Sequence, residues 1–201
     1  KAKKIDSISD WKEEVSSTSL NSEEIILIDA QHPKQLFTRV PGVWISRGSG
    51  QEHLTSIRSP VLTGPGACGS FLILEDGIPI RPSGFCNVNG LFETQTEIAS
   101  SIEVIRGPAS ARYGGNAMHG VINVVSKPIE DINTISTNIG PNGYTNFKSS
   151  IGDSESWRIN SFFSTDDGLR KESGHDQQKF QLKSHFGLNS WDGIFNLRLT
   201  N

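Results

Sequence analysis

No apolar run in this sequence is long enough to cross a bilayer as a helix. The stretches "IILI" (Ile25 to Ile28) and "FLIL" (Phe71 to Leu74) fall far below the roughly 18 to 20 residues that a spanning helix needs. The closed β-barrel is the membrane route left open, because only helices and closed barrels satisfy every backbone group in lipid. The chain begins at Lys1 without Met and has no apolar run behind a basic start, so a signal peptide is expected to be already removed or never present. Charge of one sign is also missing: 19 Lys and Arg face 22 Asp and Glu, a net charge of -3. That gives no global attraction to phosphate backbones, and no nucleic-acid partner is expected. Hydrophobic residues make up only 34% of the 201, while glycine reaches 20 and proline 9, which argues against a helical bundle. There is no Walker loop, no zinc-binding His pair and no G-x-S-x-G elbow, and "GHD" at Gly174 lies in a polar loop. The expectation is a protein that is not an enzyme and carries no cofactor and no metal.

Cysteine is nearly absent. Cys68 and Cys86 stand among Gly64, Pro65, Gly66, Gly69, Pro82 and Gly84. In an exported protein they would close a surface loop with one disulfide, which the chain-entropy model credits with about 3 kcal/mol. In a reducing compartment they would be two small unpaired side chains. Neither C-x-x-C nor H-x-x-x-H spacing supports a metal site with His53 or His119.

What is present begins with a polar, Ser-rich stretch through Asn21, expected to be a loose leader within residues 1–24. "IILID" reads as a strand, "HPKQLFTRV" as a short helix with Pro33 in its first turn, and "PGVWIS" and "HLTSIRS" as extended segments. In "FLILEDGIPI", Asp76 and Gly77 form a two-residue hairpin turn. A short helical turn leads into "IEVIRGP", which ends at Gly107 and Pro108. "ASARYGG" turns once more before the strand "GVINVVSK". Here Gly114, Gly115 and Gly120 permit positive φ and close backbone approach. The pattern predicts a compact α+β unit over residues 25–130.

Past Pro128 the residues alternate. Ile135, Thr137 and Ile139 share one face, as do Phe147, Ser149 and Ile151, then Trp157, Ile159 and Phe163. Phe180, Leu182 and Phe186 oppose Gln181, Lys183 and His185; Phe195, Leu197 and Leu199 oppose Asn196 and Arg198. Five antiparallel strands with one apolar and one polar face are expected over residues 131–201, as in a membrane barrel. A soluble sheet with one wet face carries the same alternation. The connections favour the barrel: short turns at Gly140 to Gly143, at "GDSE" and near Asn189 to Gly193 contrast with a long polar loop near Asp166 to Gln177. Trp157 and Trp191 suit either an interfacial girdle or packing.

The segments "VPGVWI", "SIRS", "LEDGIPI" and above all "IEVIRGPASARYGGNAMHGVINVVSKP" (Ile102 to Pro128) resemble the TonB-dependent outer-membrane receptors in order and spacing. Two positions depart from that family's pattern: Ser59 stands where glycine is usual, and Arg112 where an apolar residue usually precedes the tyrosine. No TonB box is legible in residues 1–21. The resemblance implies an α+β plug domain followed by antiparallel β-strands of an incomplete transmembrane barrel, the whole barrel having about 22 strands. It implies an outer-membrane location with the plug inside the barrel, and import of a scarce nutrient, foremost an iron-siderophore complex. The implied partners are TonB with its inner-membrane energising complex, a small-molecule ligand such as a ferric siderophore, and outer-membrane lipid. Arg58, Arg106 and Glu103 are the implied plug–barrel lock. Gly64, Pro65, Gly66, Arg81, Phe85 and Asn87 are the implied ligand-facing loop residues, with aromatic and basic groups suited to an anionic iron chelate. Asp76, Gly77, Pro79, Gly107, Pro108, Tyr113 and Gly114 are the expected structural turns. A soluble periplasmic α+β binding module, or a signalling relative without transport, is the alternative.

Overall fold

A computed structural model describes residues 16–48, 50–82, 84–130, 132–188 and 191–201. The chain divides into two compact units, residues 1–47 with 52–125, and residues 48–51 with 126–201.

The first unit opens with a strand where a loose leader was expected: β1 (Ser17–Asn21) pairs antiparallel with β6 (Ala99–Arg106), Ser17 opposite Ile105. Residues 1–15 of that leader lie outside the described residues. "IILID" is a helix, α1 (Ser22–Ile28), rather than a strand. Its cause is local. Asn21 Oδ1 accepts from Glu24 N (2.9 Å) and Glu24 Oε2 accepts from Asn21 N (2.9 Å), a capping box that satisfies two orphan donors. Of the apolar run only Ile25 is fully buried, and Ile26 and Leu27 remain exposed.

The short helix α2 (Pro33–Phe37) forms as expected, with Pro33 in the first turn and His32 capping Lys34 N. A separate hairpin follows, β2 (Val43–Arg47) with β3 (His53–Ile57). Both cysteines lie after it, on either side of β4 (Phe71–Glu75) and β5 (Ile78–Pro79). Between these two strands Asp76 (φ 50°) and Gly77 (φ 79°) make the expected turn, the double positive φ that matches strand twist. After β6 come the single-turn helix α3 (Ser110–Tyr113) and β7 (Gly120–Ser126). The five-stranded sheet runs β1-β6-β7-β4-β5, with β4 and β7 parallel.

Apolar residues cover both faces of this sheet. Phe71, Ile73, Ile102, Val104, Ile122 and Val124 join Leu36, Phe37 and Ile57 in one cluster. Leu72, Leu74, Ile105 and Val121 join Ala109 and Ala117 in the other. Each fully buried Leu, Ile or Phe contributes about 1.5–3 kcal/mol, so the unit holds a real core. Gly120 is required by proximity rather than by φ: a Cβ there would collide with the Ile105 carbonyl oxygen and with Ile57. Of the elbow glycines, Gly114 takes the positive φ (89°).

The second unit is a meander in the order β12-β11-β10-β9-β8, formed by β8 (Thr134–Ile139), β9 (Thr145–Gly152), β10 (Trp157–Asp166), β11 (His175–Leu188) and β12 (Trp191–Thr200). The expected long loop is shorter, residues 167–174, because Asp166 already pairs with His175. The turn expected near Asn189 to Gly193 is narrower too, with Leu188 opposite Trp191 and Gly193 opposite Phe186.

The sheet is inside out relative to a water-soluble one. Ile139 (83% exposed), Ile135 (67%) and Leu199 (58%) face outward with Phe147, Ile151, Phe163 and Phe195. Buried instead are Asn146, Ser150, Arg158, Asn160, Gln177, Lys179, Gln181 and Lys183.

Candidate functional site

The loops around the two cysteines are joined. Cys68 and Cys86 form a disulfide with Cα atoms 4.3 Å apart. The backbone N–H groups of Asn87 and Val88 both donate to the Cys68 carbonyl (3.1 Å each). Turns dominate the first loop: Gly64 (φ 83°) precedes a short 3-10 segment, Pro65–Ala67, in which Gly66 also has positive φ. Leu62 (φ 60°) and Ala67 (φ 57°) sit in the left-handed region despite their side chains. Such residues cost of order 1 kcal/mol each and cluster at functional loops.

Of the expected ligand-facing side chains, Phe85 projects outward, 63% exposed. Arg81 and Asn87 are held by bonds within the unit. Asn87 is buried, and its Nδ2 donates to the Phe85 carbonyl (3.4 Å). Arg81 is engaged: Nε donates to Glu93 Oε2 (3.0 Å), Nη2 pairs with Glu93 Oε1, and Nη1 donates to Asn89 Oδ1 (3.0 Å) and to the Cys86 carbonyl. A bidentate Arg–carboxylate pair is directional as well as strong. The guanidinium therefore braces the disulfide loop from beneath. This clamp escaped sequence reasoning; the only signal was Glu93 closing an otherwise uncharged run after Arg81.

Arg81 also lines a cleft of about 660 Å³ with Leu72, Ile80, Tyr113 and Asn116. Burial raises the Tyr113 hydroxyl above its ordinary pKa, opposed by nearby Arg112 and reinforced by Glu103.

Arg58 and Arg106 come together, and Glu103 does not join them. Arg58 Nη2 donates to Ser16 Oγ (2.9 Å) and Nη1 to the Arg106 carbonyl (3.4 Å). Arg106 Nη1 donates to the Pro41 carbonyl (2.8 Å) and Nη2 to the Ser17 carbonyl (3.0 Å). The side chains pack around Gly42, whose absent Cβ would lie 3.3 Å from Arg58 Cγ and 3.5 Å from Arg106 Cδ. Among the described residues no carboxylate pairs with either guanidinium. Glu103 belongs to the opposite face of β6, buried, where Asn123 Nδ2 donates to its Oε2 (3.2 Å). Asn123 Oδ1 in turn accepts from Gly77 N (2.9 Å), tying the hairpin turn to the sheet.

Of the remaining expected turn residues, Pro79 lies in β5 opposite Leu74 and Tyr113 ends α3, while Gly107, Pro108 and Gly114 fall in the connections between elements. Gly107 (φ 113°) donates its N–H to the His119 carbonyl (2.7 Å), Pro108 and Pro79 are exposed, and Gly114 N closes α3 onto the Ser110 carbonyl (2.9 Å).

The polar face of the second unit carries a hydrogen-bonded row across the strands. Ser150 Oγ donates to Asn160 Oδ1 (2.6 Å), Asn160 Nδ2 to Gln181 Oε1 (2.9 Å), and Gln181 Nε2 to Asn196 Oδ1 (3.2 Å). Fully buried Arg158 donates to Ser150 Oγ and to the Glu130 and Ile132 carbonyls. Phe162 lies between Lys148 and Lys179, their ammonium groups 5.8 and 5.9 Å from its ring centre. Buried polar groups need such partners. The opposite face is apolar from strand to strand, with Ile151, Ile159, Leu182 and Leu197 in register and Phe147 against Phe163 (centroids 6.3 Å apart). Continuous exposed apolar surface of this kind marks a membrane or partner contact.

A family model described as the TonB-dependent receptor plug domain matches residues 11–121. Solved structures of the same fold include the ferric yersiniabactin uptake receptor FyuA from Yersinia pestis, 16% identical over 85% of this chain and 28% of that one, with a TM-score of 0.61. The ferric-catecholate import receptor Fiu from E. coli K12 is 22% identical over 87% and 25%, with a TM-score of 0.62. The siderophore receptor PirA from Acinetobacter baumannii is 20% identical over 96% and 32%, with a TM-score of 0.66. The chain spans about a quarter to a third of the length of these receptors. The plug match takes in more than half of the sequence, and the meander that follows has the faces of a membrane sheet, so the chain belongs to the TonB-dependent receptor plug domain family.

Proposed function

We propose that this chain is the plug and opening barrel strands of an outer-membrane receptor. The receptor binds a scarce metal chelate, foremost a ferric siderophore, and imports it to the periplasm with energy passed through TonB from its inner-membrane complex. The observation that carries this reading is the inverted second unit, whose apolar side chains are exposed while its cations and amides are buried. A water-soluble binding module would present the reverse, because exposed apolar area on this scale is costly in water. The names of the structural neighbours, receptors for ferric yersiniabactin, for ferric catecholate and for a siderophore, support the substrate class. In this reading the disulfide-joined loops form the ligand-facing floor. Arg58 and Arg106, adjacent and without a carboxylate partner among the described residues, pair in this reading with wall carboxylates from the rest of the barrel, since uncompensated charges in a lumen are costly.

The test is uptake of radiolabelled iron chelates by cells lacking the gene, complemented with the complete receptor gene, with and without a functional TonB. TonB-dependent accumulation of at least one chelate is expected. Changing both Arg58→Ala and Arg106→Ala leaves the barrel inserted and makes the plug protease-sensitive. Uptake that is independent of TonB, or absent for every chelate, contradicts the transport reading. Unchanged proteolysis contradicts the arginine lock.

A further inference from the structure

The two joined loops carry no charge. From Ser59 through Leu74, and again from Pro82 through Phe92, no Asp, Glu, Lys or Arg occurs. Arg81, which stands at the entrance to the second run, has its fork cancelled by Glu93. What the loops offer outward is Phe85, 63% exposed, and Leu62, 48% exposed. Leu62 is held at positive φ, a conformation that a branched side chain avoids, and Phe85 sits one residue from a cystine that is further bonded through the Cys68 carbonyl. Rigid placement lowers the entropy cost of binding and is typical of aromatic anchors.

We propose that the plug floor selects a metal chelate by an uncharged contact, with Phe85 and Leu62 meeting an apolar, charge-free face of the ligand. This rests on the receptor reading and narrows its substrate class. It also reverses the expectation of a basic floor for an anionic chelate, because the one basic side chain there is neutralised from within. An anionic face set against this floor would lose hydration without gaining a counter-charge. An uncharged face loses little.

Binding to the purified complete receptor distinguishes the cases, with two probes of similar size: an uncharged ferric tris-hydroxamate and a multiply anionic ferric tris-catecholate. The uncharged probe is expected to bind at least about tenfold more tightly, with little dependence on salt. Phe85→Ala weakens it about tenfold and leaves the anionic probe unchanged, with the same gain of two hydrogens on reduction as the wild type showing that the disulfide is kept. Phe85→Lys weakens the uncharged probe and strengthens the anionic one. The proposal is overturned if the anionic probe binds as tightly as the uncharged one, or if Phe85→Ala affects neither. Such a result leaves TonB-dependent uptake standing. If neither probe binds the wild-type receptor, the proposal falls, and the uptake assay alone decides the broader reading.

Discussion

Asp153 shows what one side chain settles in this chain. It closes the turn between β9 and β10, where its Oδ1 accepts from the backbone N–H groups of Glu155 (2.9 Å), Ser156 and Trp157 (3.2 Å). These donors, Ser156 first, hold its pKa below the ordinary carboxylate value. The folded value is depressed, so the turn gains from ionised Asp153 above the ordinary pKa and loses that gain as pH falls through the depressed one. The amides of residues 155–157 are therefore expected to be protected relative to their intrinsic exchange rates at neutral pH and to lose that protection in acid. Asp153→Ala should lack the protection at both, measured by NMR of the receptor in micelles; protection that survives in the variant contradicts the role. "GDSE" was legible as a turn, but which acceptor holds it was not. The arginines divide in the same way. Arg58 and Arg106 lie side by side, whereas Glu103, which the resemblance joins to them, lies across the sheet, since residues 103 and 106 point to opposite faces of β6.

At the scale of elements, the apolar run of α1 misled because β-branched residues favour strands. The Asn21 and Glu24 capping box was already written in "NSEE" and outweighed them. By contrast the strands after Pro128 were legible from their period of two, and only their boundaries moved, because pairing partners rather than polarity decide where β11 begins. What period alone left open was which face meets the solvent. Leu182 tests it. It sits mid-strand, in register with Ile159 and Leu197 on the apolar face. In lipid, Leu182→Arg should destabilise the barrel by about 2–4 kcal/mol, and Leu182→Ala by clearly less, measured by denaturation of the complete receptor in vesicles. On a water-exposed face the arginine would stay within about 0.5 kcal/mol of wild type.

For the whole molecule, each unit explains itself by different physics. The first has apolar residues buried on both faces of a five-stranded sheet and needs no lipid to account for its core. In the second, the strands at both ends of the meander, β8 and β12, are sheet edges, and open edges are not tolerated in hydrocarbon; further strands completing the barrel are part of the proposal. The central claim is that the odd-numbered apolar face of this meander lies against lipid, or the even-numbered one where the strand's register requires it. Its most direct measurement is site-directed spin labelling along β11 in the complete receptor in vesicles, one label at each of residues 178–186, comparing collision with oxygen and with a water-soluble nickel chelate. Labels at 180, 182 and 186 should be reached by oxygen and shielded from nickel, and labels at 179, 181 and 183 should not follow them. Nickel accessibility at 180, 182 and 186 equal to that of an aqueous loop would contradict the account.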